Sequence, residues 1–286
     1  MKNYLKLMRV HHYIKNILVF LPLIFSGRLV NGKDFSLTLL GFIAFCLMSS
    51  VIYIINDIKD VEKDRKHSTK KNRPIAAGII TIKQAGILGF FLFFISVIML
   101  YFTGCSEISP WLFMILYFIL NILYSFGLKN FPIMDIAILV SGFLIRVLFG
   151  AAITNIEVSN WLYLTIMSVS FYLALGKRRN EAKNETGSRI VLNYYSYDYL
   201  DKNMYIALAC SFVFYALWCV DPTTILRFKS NFVVWTVPLV ILIGMKYSLN
   251  IEGESDGDPV EVILQDKVLI TLIVFYSVIM AFLLYR

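Results

Sequence analysis

The sequence predicts an all-helical integral membrane protein with nine transmembrane helices, and three observations carry that expectation: an apolar composition, apolar runs of bilayer length, and a one-sided distribution of basic residues. Of 286 residues, 58% are hydrophobic and 16% charged, where soluble domains carry about 25% charged residues. Mean hydropathy is +0.71, which argues for lipid as the solvent. Several runs exceed the roughly 18 to 20 residues that cross about 30 Å of hydrocarbon at about 1.5 Å per residue.

Breaks at charged, glycine and proline residues place the spans at roughly 13–30, 35–56, 83–103, 109–127, 132–153, 160–176, 203–221, 231–250 and 267–285. Lys2, Lys6 and Arg9 before the first span resemble the basic start of a secretory leader. No small-x-small cleavage site follows and a second span comes at once, so the first span is expected to be retained. One polytopic domain over 1–286 is expected, with charged clusters after the second and sixth spans hinting at a duplicated four-helix unit.

The great majority of the 27 Lys and Arg fall before the first span or after even-numbered ones. Cytoplasmic loops collect such residues, so the N-terminus is expected on the cytoplasmic side of the cell (inner) membrane and the C-terminus outside. The net charge of +8 then reads as topology and contact with anionic lipid; nucleic acid is not suggested. Cys46, Cys105, Cys210 and Cys219 lack metal-ligand spacing and are expected to pack. His11, His12 and His67 sit at or beside the cytoplasmic interface as structural or substrate-adjacent residues.

The chemistry concentrates after the second span, in YIINDIKDVEKDRKHSTKKNRPIAAG. If the helix continues through this stretch, Asn56, Asp57, Asp60 and Asp64 share one stripe, because positions i, i+3, i+4 and i+7 are neighbours. Like charges so placed repel unless cations neutralise them, and hard oxygen ligands suit magnesium, which in turn binds diphosphate. Asp57, Asp60 and Asp64 are the expected metal ligands, with Asn56 orienting the diphosphate or completing the shell. Lys66, Lys70, Lys71 and Arg73 follow as phosphate contacts, and Pro74 and Gly78 turn the chain back. The other reading is a solvated helix end with ordinary ion pairs, such as Asp60 with Lys63.

NDIKDVEKD resembles the NDxxDxxxD signature of the UbiA-type intramembrane prenyltransferases, a likeness that covers nearly the whole chain. The resemblance implies a ring of helices around a central cavity, open laterally to lipid, with a magnesium-bound diphosphate at its cytoplasmic mouth. Family members carry a second Asp-rich motif after the sixth span. Here that position reads LGKRRNEAKNE, placing Lys177, Arg178 and Arg179 before Glu181 and Glu185.

That departure resembles the branch coupling phosphoribosyl diphosphate to a polyprenyl phosphate. RVHHYIKNILVFLPLIF, LYSFGLKNFPIMDIAILVSGFLIR, GKRRNE and DGDPVEVILQDK carry the likeness as well. A donor with a 5-phosphate besides its diphosphate wants one additional cationic site, which Lys177, Arg178 and Arg179 are placed to supply; the competing reading is positive-inside anchoring. The implied reaction is magnesium-dependent phosphoribosyl transfer to the lipid phosphate with release of diphosphate, as in cell-envelope biosynthesis. Because the lipid phosphate is already anionic, no general base is needed. Glu181 is the candidate for a ribose hydroxyl or a metal-bound water.

Four further positions are candidate substrate contacts matching the family: Lys15 and Asn16 in the first span, and Tyr124 and Lys129 at the end of the fourth. For the lysines, snorkelling explains the position equally well. Asp135 and Arg146 lie 11 residues apart in the fifth span, nearly on one face and roughly 16 Å apart. They are expected to line a polar stripe on a cavity wall, against interfacial anchoring of Asp135 and snorkelling of Arg146. The segment from Asn250 to Lys267 is acidic, through Glu252, Glu254, Asp256, Asp258, Glu261 and Asp266; within it Asp258 and Glu261, in the family-like GDPVE stretch, are expected to close the mouth by pairing with its basic residues rather than to take part in catalysis.

Besides the phosphoribosyl donor, the polyprenyl phosphate and the bilayer, a second copy of the chain is a candidate partner. A prenyl diphosphate donor with an aromatic acceptor would call for a second aspartate motif, which GKRRNEAKNE does not provide. A transporter without chemistry would call for helices broken near the midplane, whereas the charges here gather at one membrane face.

Overall fold

A computed structural model describes residues 2–67, 69–104, 107–183, 190–253 and 259–285. Cys105, Glu185, Glu254, Asp256 and Asp258 lie outside these ranges. Among the described residues the chain is helical throughout, without a strand.

Helix α1 (Lys2–Met8) is short and meets α2 (Val10–Phe25) at Arg9, whose backbone is left-handed at φ 53°, ψ 49°. Asn31 opens α3 (Gly32–Lys59), its side chain accepting the orphan N–H groups of Lys33 and Asp34, as a capping residue does. Helix α4 (Val61–Lys66) follows directly after Asp60. Thr81 and Gln84 form a reciprocal cap for α5 (Ile82–Tyr101), Pro110 enters the first turn of α6 (Ser109–Phe126), and Gly127, with φ 144°, ends it. Then come α7 (Met134–Thr154), α8 (Asn160–Lys183), α9 (Tyr197–Val220), α10 (Pro222–Phe228), α11 (Val237–Glu252) after a 3-10 turn Phe232–Thr236, α12 (Pro259–Gln265) and α13 (Lys267–Tyr285).

Among the described residues, seven helices are long and apolar enough to cross a membrane: α3, α5, α6, α7, α9, the continuous stretch Phe232–Glu252, and α13. Nine spans were expected, and each has a helix at its position, but two fall short of that measure for physical reasons. Helix α2 is eleven residues of tight 3-10 winding followed by five of α-helix. Because 3-10 winding rises about 2.0 Å per residue, α2 still extends roughly 30 Å. Helix α8 is apolar in its first part but ends in Lys177, Arg178, Arg179, Glu181 and Lys183.

The chain forms two compact units, the first from Met1–Ile24, Arg28–Leu128 and Ile145–Ile156, the second from Phe25–Gly27, Lys129–Leu144 and Glu157–Arg286, so α7 contributes to both. In the first unit, Val19, Phe45, Met48, Tyr117, Phe149 and Ile153 form one apolar cluster, and Leu7, Val51, Ile54, Ile75 and Ile80 another. In the second, Ile136, Tyr172, Leu175, Leu200, Met204 and Ile251 pack together. Phe90, Phe91 and Phe94 of α5 and Val274, Phe275, Val278 and Phe282 of α13 are exposed. Contiguous apolar faces of this kind are a liability in water and ordinary in lipid. The protein is a multi-pass membrane protein.

One packing contact in the first unit is backbone against backbone. A Cβ on Gly150 of α7 would lie 1.9 Å from the carbonyl oxygen of Val19 in α2, so only glycine permits the approach. Gly150→Ala should therefore destabilise the detergent-solubilised protein by about 1–3 kcal/mol, as overpacking does, read as a fall of several degrees in Tm. Gly86→Ala, where nothing lies within 4 Å, should leave Tm unchanged or raise it slightly.

Candidate functional site

In the first unit the aspartate motif folds around a break. Helix α3 ends at Lys59, Asp60 takes a non-helical backbone (φ −92°, ψ 10°) with its N–H on the Asn56 carbonyl at 2.9 Å, and α4 restarts at Val61. The uninterrupted helical stripe expected over Asn56, Asp57, Asp60 and Asp64 is therefore replaced by two helices with a joint at Asp60. Asp57 on the last turn of α3 and Asp64 on α4 are both buried, at 3% and 4% exposure, while Asn56 and Asp60 are half-buried.

The two buried carboxylates converge on one cation. Arg73 Nη1 lies 2.6 Å from Asp64 Oδ2 and 3.1 Å from Asp57 Oδ1, and Arg9 Nη2 reaches that same Asp57 oxygen at 2.5 Å. The Arg9 guanidinium also sits 4.8 Å from the centre of the Tyr53 ring, a favourable cation–π placement. Arg73 is brought back by a 3-10 turn Lys70–Asn72, after which the Ala77 N–H bonds the Arg73 carbonyl and Gly78 turns with φ 73°. Ile75 and Ile80, buried beside Leu7, Val51 and Ile54, anchor this loop and α1 in apolar surroundings, and Lys6 Nζ donates to the Asn72 carbonyl at 3.0 Å. Lys70 is half-buried; Lys66 and Lys71 are exposed.

Among the described residues, no three His, Cys, Asp or Glu side chains come together as a metal cage. Asp57 and Asp64 nevertheless suit magnesium, which is usually held by one or two carboxylates together with substrate phosphate oxygens and water. The point on which both converge is already taken by a cationic group, Arg73.

Deeper in the same unit, Arg146 Nε donates to Asn16 Oδ1 at 2.7 Å and its Nη2 to the Tyr117 hydroxyl at 2.9 Å. Its guanidinium lies 5.4 Å from the Phe45 ring centre, and Asn16 Nδ2 donates to Cys46 Sγ at 3.3 Å. Asn16 and Arg146 are buried in this network, so Arg146 does not snorkel. Lys15 and Tyr124 are half-buried in the first unit, and Lys129 is half-buried in a 3-10 turn Leu128–Asn130.

In the second unit the basic end of α8 is matched by acids. Asp135 and Arg178 are fully buried, with Oδ2 and Nε 2.6 Å apart, and Arg178 Nη1 holds Glu181 Oε2 at 2.8 Å. The Tyr195 hydroxyl accepts the Ile133 N–H and donates to Asp135 Oδ1 at 2.8 Å. Burial pushes that hydroxyl up to about 12, so it stays a proton donor at neutral pH. Arg179 contacts Asp201 at 2.8 Å, Glu252 at 2.6 Å and the Tyr197 hydroxyl; Tyr205 donates to the same Glu252 oxygen. Lys177 is half-buried.

Asp135 and Arg146, expected on one polar stripe, are thus each enclosed in the unit to which their half of α7 belongs. In the acidic segment, Glu252 pairs with Arg179 and Asp266 with Lys246 at 2.7 Å. Sequence reasoning missed Arg9, Tyr53, Tyr117, Tyr195, Tyr197 and Asp201. The basic run before α2 is the available signal for Arg9, and it fits membrane topology equally well.

Residues 19–261 match the UbiA prenyltransferase family. Decaprenyl-phosphate phosphoribosyltransferase of Mycolicibacterium smegmatis is 33% identical, over 93% of this chain and 87% of that protein. The protein of the same name from Corynebacterium glutamicum is also 33% identical, over 93% of this chain and 81% of its own length. The structure of a UbiA homolog from Archaeoglobus fulgidus bound to GPP and Mg2+ superposes with a TM-score of 0.73 at 18% identity, over 97% of this chain and 99% of that one. The chain is an enzyme of the UbiA prenyltransferase family.

Proposed function

We propose that the protein transfers the 5-phosphoribosyl group from phosphoribosyl diphosphate to a polyprenyl phosphate, releasing diphosphate, with magnesium as its cofactor. The observation that carries this reading is the convergence of buried Asp57 and Asp64 on one cationic point, in a chain a third identical to two phosphoribosyltransferases. Nine crossings, a cytoplasmic N-terminus and an external C-terminus belong to the same proposal, the positive-inside bias being their support.

In this reading Asp57 and Asp64 hold the metal, with Asp60 and Asn56 at the helix joint beside them. Bound there, magnesium supplies charge neutralisation at the departing diphosphate. Arg73 and Lys70 bind phosphate oxygens, with the exposed Lys66 and Lys71 recruiting the donor. The acceptor phosphate needs orientation rather than deprotonation, so binding geometry supplies most of the acceleration. Arg178 acts through the groups it holds: locked to Asp135, it keeps Glu181 in place for a ribose hydroxyl. Lys177 remains a candidate for the donor's 5-phosphate, and Lys15, Tyr124 and Lys129 for substrate contacts. The Asn16–Arg146 network is assigned to joining helices within its unit.

Purified protein incubated with magnesium, labelled phosphoribosyl diphosphate and a polyprenyl phosphate should yield a labelled lipid. Label transfer only when prenyl diphosphate and an aromatic acid replace these substrates would contradict the proposal. Asp57→Asn and Asp64→Asn should each lower the rate at least about a hundredfold, with a monodisperse protein in gel filtration. Breaking the buried pair is expected to act on stability first. Arg178→Met, which strands Asp135, should cost about 3–5 kcal/mol, seen as a large drop in Tm.

A further inference from the structure

We infer that Arg9 and Arg73 form a charge-balanced lock on Asp57 and Asp64, so that a divalent cation enters together with diphosphate rather than alone; the inference rests on the function proposed above. Two carboxylates bear two negative charges, and two guanidinium groups within 3.1 Å bring two positive ones. A dication arriving by itself must compete with both arginines for the same oxygens and leaves their charges uncompensated in a largely buried site. Arriving with diphosphate, it brings anionic oxygens to which both guanidinium groups can turn, and arginine's planar fork suits such oxygens. Each ligand then improves the site for the other, a reciprocal coupling.

The backbone around Arg9 is built for such a hand-over. Arg9 is one of only four non-glycine residues with positive φ among the described residues, a conformation that costs energy and persists where the surroundings enforce it. Those surroundings are specific. Leu7 is fully buried against Ile54 and Ile75, Lys6 holds the Asn72 carbonyl, and the Tyr53 ring faces the guanidinium. The flanks of Arg9 are thus fixed while its side chain is 18% exposed, leaving the guanidinium room to exchange Asp57 for a phosphate oxygen.

Equilibrium dialysis of the full-length protein in detergent, with labelled Mn2+ as probe and inorganic pyrophosphate present or absent, tests this, with protein-free controls subtracted. The wild type should hold Mn2+ at least about tenfold more tightly when pyrophosphate is present. Arg9→Asn removes the charge with a residue that tolerates left-handed backbone. It should tighten Mn2+ binding without pyrophosphate about tenfold and shrink the coupling, while Arg9→Lys stays near wild type. Equal Mn2+ affinity of the wild type with and without pyrophosphate would overturn the lock, as would an Arg9→Asn protein, folded by its Tm, that binds Mn2+ like wild type. A wild type retaining neither Mn2+ nor pyrophosphate, even together, would instead overturn the proposed function beneath it. If Arg9→Asn does not fold, the wild-type coupling alone decides.

Discussion

The structure depends on cancelling charge at the edge of an apolar interior. A carboxylate or guanidinium taken out of water without a partner is expensive, and removing one member of a buried pair strands the other. In the first unit Asp57 and Asp64 are answered by Arg9 and Arg73. That requirement explains the local folding: the loop after α4 must return to deliver Arg73, and α1 must dock through Leu7 to deliver Arg9. The apolar anchors of these two segments and the ionic contacts they carry are therefore parts of one arrangement.

The second unit solves the same problem with the signs reversed. There α8 supplies the cations, and the acids come from separate elements: Asp135 from α7, Glu181 from α8 itself, Asp201 from α9 and Glu252 from α11. Arg178 and Arg179 are adjacent in sequence yet draw on different partners, as neighbouring residues on a helix point about 100° apart. A basic turn that would be ordinary at a cytoplasmic helix end becomes, through these pairs, the feature that ties helices of this unit together.

Much of this was legible in the sequence, for definable reasons. Helix positions follow from hydropathy, and NDIKDVEKD signals an acidic site through spacing alone. The break at Asp60 was not legible, because an aspartate mid-motif suits both a helix and a joint. The character of α2 escaped for a related reason: hydropathy windows assume 1.5 Å per residue and cannot register 3-10 winding. Partnerships such as Arg9 with Asp57, or Asn16 with Arg146, join residues 48 and 130 positions apart and leave no periodic trace. Helical phase puts Asp135 and Arg146 on one stripe without contact, whereas packing encloses each with a partner from another element.

In the proposed function Asp57 and Asp64 grip a divalent cation that carries diphosphate. The most direct test of this is an experimental structure of the protein with Mn2+ and pyrophosphate, the metal located by anomalous scattering. The expected result is one metal peak coordinated by both carboxylates and by pyrophosphate oxygens, with Arg73 turned onto the phosphate. A metal bound by other residues, or pyrophosphate bound while Asp57 and Asp64 keep their arginine partners, would contradict it.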